Sequence, residues 1–200
     1  LSVKVDNSHN ENIPPLRADY NFYGGIYRNV RLIVAEPVHF DLSNNASEGV
    51  FVNTPKVNDQ NALVSVQGSI ANNTSENKRV IVETSILDQE NKVIAKNASK
   101  LSLSPNSKSD FSIEGLQIRS PKLWSPDSPY LYKTVTKISE DSDRENTYDM
   151  NVLPVGLRWF EFDEEGGFML NGKPLKLIGS NRHQDFIGLG NALTDDYHYN

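Results

Sequence analysis

Apolar and polar residues alternate along most of this chain, and the alternation has the period of a strand. Residues 63–70 and 79–88 alternate in this way, with Val64, Val66 and Ile70 in one register of the first and Val80, Val82 and Ile86 in one register of the second. Successive side chains of a strand point to opposite faces, so this pattern predicts strands with one buried face. The separators, residues 71–77 and 89–92, are polar and rich in turn formers. Further strands are predicted over residues 49–57, 99–103, 107–113, 130–138 and 147–153. They follow at about the 8–12-residue spacing of a β-sandwich, giving about seven strands between residues 37 and 154. No window sustains apolar positions at i, i+3, i+4 and i+7, so no long helix is predicted. The fold class is all-β, centred on an immunoglobulin-like sandwich.

The texture changes on both flanks. Residues 25–34 (GIYRNVRLIV) form one long strand-like stretch, preceded by the aromatic cluster Tyr20, Phe22 and Tyr23. After the sandwich come three short apolar runs, at residues 160–162, 168–170 and 175–178. Asn171-Gly172 stands between the last two, and this pair is the strongest short hairpin signal because both residues tolerate positive φ. Neither flank is long enough to bury a core of its own. Leu1 to Asn7 carries no initiator Met, basic segment or apolar segment of a signal peptide, and residues 195–200 end without a closing element. Both ends read as cut.

Charge narrows the partners. The chain carries 20 Lys and Arg against 26 Asp and Glu, a net charge of −6, with no basic stripe. A phosphate-binding surface for nucleic acid is therefore not expected. Cysteine is absent, which removes a disulfide framework, a zinc knuckle and a thiol nucleophile together. His9, His39, His183 and His198 lack the spacing of metal ligands, and residues 188–190 are too short for a phosphate-cradling loop. Apolar runs fall short of the roughly 20 residues that a membrane-spanning helix needs.

Three motifs carry a resemblance. The first is residues 19–30, DYNFYGGIYRNV; the second is residues 121–132, PKLWSPDSPYLY. The third runs through Val155-Gly156-Leu157-Arg158, residues 168–174 (FMLNGKP) and residues 179–185 (GSNRHQD). In this order and spacing they resemble the family 2 glycoside hydrolases, which include β-galactosidases, β-glucuronidases and β-mannosidases. The resemblance covers essentially the whole chain. It implies the end of a jelly-roll sugar-binding domain at residues 1–36, the sandwich at 37–154, and the start of a catalytic (β/α)8 barrel at 155–200.

The candidate site residues follow from that resemblance. It places Asp19 where the family's aspartate reaches the sugar in the cleavage subsite, and aromatic neighbours suit the apolar face of a sugar. By itself Asp19 equally suits an Asx-turn opening a strand. Asn181, Arg182 and His183 follow the apolar residues 175–178, as they would at the carboxyl end of a first barrel strand, where barrel enzymes keep their working residues. The matching family histidine can bond a sugar hydroxyl and favour the distorted transition state. A lone His at such a junction is otherwise a packing residue. Arg182 and Asp185 are weaker candidates, since a buried Arg–Asp pair bracing the barrel mouth would explain them as well.

Retaining glycosidases need an acid/base and a nucleophile carboxylate roughly 5–5.5 Å apart. In the family both come from later barrel strands, and a whole barrel takes about 250 residues. The resemblance therefore implies that both lie beyond Asn200 and that this chain alone is inactive. The acidic groups at 161–165 and 140–145 read as exposed turn charge. The expectation is a fragment of a retaining, β-galactosidase-like enzyme acting on terminal β-linked sugars of an oligo- or polysaccharide. No organic cofactor is expected, although family members can hold a divalent cation or Na⁺. A homo-oligomer and a bacterial periplasmic or cytoplasmic setting accompany this reading. The alternative is a non-catalytic carbohydrate-binding or adhesion module on the same sandwich, which would have no reason to carry residues 179–183 behind an Asn-Gly hairpin.

Overall fold

Eight antiparallel strands make the sandwich. In chain order they are β1 (Val38–Phe40), β2 (Val50–Val57), β3 (Asn61–Asn72), β4 (Lys78–Leu87), β5 (Val93–Leu103), β6 (Ser107–Arg119), β7 (Tyr132–Glu140) and β8 (Thr147–Val155). The structure is a computed structural model that describes residues 2–14, 17, 21–45 and 47–199. It falls into two compact units, Val34–Leu177 and a second formed by the chain up to Ile33 with the chain from Ile178 onward.

The Val34–Leu177 unit contains the sandwich. In one sheet β1 and β2 share one edge of β3, and β6 runs along the other. The second sheet has the order β5-β4-β7-β8. The predicted alternation supplies the core between them. Val64, Val66, Val80, Val82, Ile86, Ile113 and Ile138 are all buried, while Gln67 and Ser112 face water. Burying each such side chain contributes about 1.5–3 kcal/mol. Short strand β1 lacks an apolar run long enough to announce itself; it is held by β3 and by its Phe40 N–H, which donates to Asp149 Oδ2 of β8 at 2.9 Å. That bond ties an edge of one sheet to an edge of the other.

The buried side chains Asn72, Thr84, Thr134 and Thr136 are each hydrogen-bonded, which offsets the cost of removing them from water. Asn72 donates through Nδ2 to the carbonyls of Glu76 and Ser104, both at 2.9 Å, and accepts through Oδ1 from Thr74. It organises the loop between β3 and β4. Thr84 and Thr136 bond each other across β4 and β7 at 3.0 Å.

A small third sheet follows, with β9 (Phe160–Asp163), β10 (Gly167–Leu170) and β11 (Lys173–Pro174) in the order β11-β10-β9. Asn171 and Gly172 form its second turn with φ of 52° and 73°. Leu170 pairs Lys173 across them, the two-residue, doubly positive turn that the Asn-Gly signal predicts. Asn171 also reaches back, donating through Nδ2 to the Trp124 carbonyl at 3.0 Å and accepting from Trp159 N–H at 3.1 Å.

Two expected strands do not form. Residues 25–34 and 175–178 have strand-like composition but no ladder, and Leu32, Val34 and Ile178 are almost fully exposed. A strand exists only where a neighbour accepts its hydrogen bonds, and among the described residues no strand pairs with either segment. The second unit is otherwise irregular, ending in a short helix, α1 (Asp195–Tyr199). No helix among the described residues is long and apolar enough to cross a membrane.

Candidate functional site

The site residues gather in the second unit, where residues 21–28 meet residues 181–191. Glycines shape this meeting. Residues 186–190 close a tight turn, with the Gly190 N–H donating to the Phe186 carbonyl at 2.9 Å and Gly188 at φ 82°. A side chain at Gly190 would come within 3.1 Å of the Tyr23 ring, so its absence lets that ring approach. Phe186 then packs on Tyr197 of α1 with ring centroids 5.0 Å apart.

Tyr23 and Asp185 form the central contact. The Tyr23 hydroxyl donates to Asp185 Oδ1 at 2.6 Å, and Asn21 Nδ2 donates to Oδ2 at 3.0 Å. Each carboxylate oxygen keeps a lone pair for a further donor. The Tyr23 hydroxyl holds the Asp185 carboxyl below its usual range, with smaller contributions from Asn21 and from the charge of His183. The same bond pushes the Tyr23 hydroxyl up, because losing its proton would leave two anions in contact.

A second contact holds the neighbouring residue. Arg28 Nη2 donates to Gln184 Oε1 at 2.6 Å. With Oε1 so engaged, the Gln184 amide nitrogen faces His198 Nε2 at 3.1 Å and donates to it, so that imidazole nitrogen is an acceptor. Asn181, Arg182, His183, Asp185 and Asn21 line one open cleft of about 450 Å³. Hydroxyl-sized donors and acceptors of both kinds thus face one space.

Of the sequence-predicted site residues, the structure brings Asn181, Arg182, His183 and Asp185 together in this cleft. Asp19 lies outside the described residues, as does Tyr20. The buried Arg182–Asp185 brace is not what forms: both residues are exposed, and the Asp185 partners are Tyr23 and Asn21. Sequence reasoning passed over Asn21, Arg28 and Gln184 as site components. Their signal was their position, inside the first motif or between His183 and Asp185.

Residues 47–158 match Glycosyl hydrolases family 2. The chain belongs to this family. It is 33% identical to a β-glucuronidase of Bacteroides fragilis over 98% of the chain and 28% of that relative. A β-galactosidase of Thermoanaerobacter pseudethanolicus is 30% identical over 98% of the chain and 24% of the relative. Among solved structures, Bacteroides uniformis β-glucuronidase 2, covalently bound to cyclophellitol-6-carboxylate aziridine, superposes with a TM-score of 0.90 at 35% identity. That match covers 98% of this chain and 23% of the other. The chain thus spans about a quarter of the length of these relatives.

Proposed function

We propose that this chain is part of a retaining β-glycosidase that hydrolyses terminal β-linked sugars of an oligo- or polysaccharide. The observation that carries the reading is the cleft itself, where Asn181, Arg182, His183 and an ionised Asp185 face one space. Asp19 and His183 are assigned to the sugar in the cleavage subsite, with Asn181, Arg182 and Asp185 as further hydroxyl-binding groups. Residues 1–36 and 155–200 belong, on this reading, to a jelly-roll domain and a (β/α)8 barrel. The acid/base and the nucleophile are carboxylates outside this chain. A nucleophile accords with the covalent adduct of the Bacteroides uniformis relative, since a retaining enzyme passes through a glycosyl-enzyme intermediate.

For the sugar, the finer reading is a β-galactoside. A β-glucuronide is the second reading, supported by the β-glucuronidase relatives and by Arg182 in the cleft, a cation suited to a sugar carboxylate. The test is to incubate the 200-residue chain and the longer protein that contains it with nitrophenyl β-galactoside, β-glucuronide and β-mannoside. The longer protein is expected to turn over one of them and this chain none. Turnover by this chain, lost on replacing one of its own carboxylates, would sink the assignment of catalysis to residues outside it.

A further inference from the structure

One groove on the Val34–Leu177 unit gathers positive charge that the protein leaves unpaired. It lies where the start of β5 meets the end of β6, has a volume of about 530 Å³, and is lined by Lys92, Arg119, Lys122 and Asp88 above Tyr130 and Tyr132. Five cations elsewhere on this unit have carboxylate partners: Lys78 with Glu76, Lys96 and Arg144 with Glu83, Lys100 with Asp141, Lys108 with Asp41. What distinguishes the groove is that three cations without one line a single concavity. Among the described residues, none of Lys92, Arg119 and Lys122 forms an ion pair.

The backbone supports of the three cations are ordered. Arg119 ends β6 opposite Asn61 of β3. The Lys122 N–H donates to the Tyr132 hydroxyl at 2.8 Å, and its ammonium stands 4.8 Å over the Tyr130 ring. Lys92 closes the turn between β4 and β5, where Asp88 Oδ1 accepts the backbone N–H groups of Glu90 and Lys92 at 3.1 and 2.8 Å. Asp88, the one acid lining the groove, is thereby committed to its turn rather than to a cationic side chain. In a chain of net charge −6, three unpaired cations around one concavity make a local positive potential that an anion would relieve. The planar guanidinium of Arg119 adds a fork that matches a carboxylate.

We propose that this groove is a second saccharide-binding site, for an acidic oligosaccharide whose uronate carboxylates are met by Arg119, Lys122 and Lys92. It rests on the glycosidase reading only for the ligand being a saccharide; the charge chemistry is independent of it.

The test uses the isotope-labelled 200-residue chain and amide chemical shifts. Tetragalacturonate is compared with neutral cellotetraose and with inorganic phosphate, at low salt and at physiological salt. The uronate should move amides of residues 88–94 and 117–122, and salt should weaken its binding. The double variant Arg119→Gln, Lys122→Gln should weaken it by about tenfold or more, while Arg119→Lys, which keeps the charge, should lose less. Both variants lie on exposed positions, and their spectra report whether the sandwich is intact. Equal binding of cellotetraose, shifts with phosphate but none with the uronate, unchanged affinity in the double variant, or no binding at all would each overturn the proposal. Because the readout is binding by this chain, these outcomes do not depend on whether the longer protein hydrolyses any glycoside.

Discussion

The side-chain amide of Asn171 donates to the backbone carbonyl of Trp124 at 3.0 Å across 47 residues of sequence. Trp124 belongs to the loop before β7, and its own N–H donates to the Leu157 carbonyl at 2.8 Å. Arg158 stacks over its ring at 4.8 Å, and a side chain at Gly156 would press on that ring at 3.2 Å. The second and third sequence motifs are therefore parts of one joint, built around a tryptophan and closed by an asparagine.

Replacing Asn171 with Ala should destabilise the chain by about 2–4 kcal/mol, from two lost side-chain hydrogen bonds and a positive φ that Ala resists. Asn171→Gly keeps the turn and loses only the hydrogen bonds, so it should cost less. Urea denaturation of the three chains measures the difference. Equal losses for Ala and Gly would show that the turn geometry contributes nothing.

The Thr84–Thr136 pair is buried in the second sheet. Thr136→Val alone should cost about 1–3 kcal/mol, because the Thr84 hydroxyl is left buried without a partner. Thr84→Val with Thr136→Val should be nearly neutral. A double-mutant cycle checks this, and simple additivity of the two single losses would refute it.

Domain limits can be tested by trimming. Val155 and Leu157 are buried in the sandwich core, so a 37–154 chain lacks both. A 34–177 chain should unfold cooperatively and be more stable than 37–154 by about 3–5 kcal/mol, the contribution of two buried aliphatic side chains. Matching denaturation midpoints and slopes for the two would contradict this.

The Tyr23–Asp185 bond has a defined pH signature. Asp185 titrates below its usual range in the folded chain, so its contribution is present above an unfolded carboxylate value of about 3.9 and is lost as pH falls through the folded value. Tyr23 is raised, so its contribution is present below about 10 and is lost as pH rises through the folded value. Tyr23→Phe should return Asp185 toward its ordinary value, as followed by the carboxyl carbon shift on titration. An unmoved Asp185 would show that Asn21 suffices.

In the longer protein, Asp19→Ala or His183→Ala should lower kcat/KM by about 10²-fold or more, since both are assigned hydrogen bonds that strengthen in the transition state. Steady-state kinetics with thermal stability measured alongside decides it. Near-unchanged kcat/KM in both variants at unchanged stability would remove them from the site.

How much of this was legible in the sequence depended on the range of the interaction. Period-2 alternation marked the longer sandwich strands because one face of each meets the core, and Val64, Val66, Val80 and Val82 are buried as that pattern requires. The Asn171-Gly172 turn was legible because positive φ at both positions is a property of those residues themselves. The three motifs identified the family. Strand β1 was not legible, because three residues carry no period and its place depends on β3 and on Asp149. Residues 25–34 and 175–178 show the converse: apolar alternation predicts a willingness to pair, while only a neighbouring strand provides the hydrogen bonds. The cleft was half legible. His183 and Asp185 stood in a motif, but their meeting with Asn21 and Tyr23, and the coupling of Arg28 through Gln184 to His198, join residues more than 150 positions apart or across a turn and helix. Local residue chemistry is written in sequence; which donors face which acceptors across such distances is decided only when the chain has closed on itself.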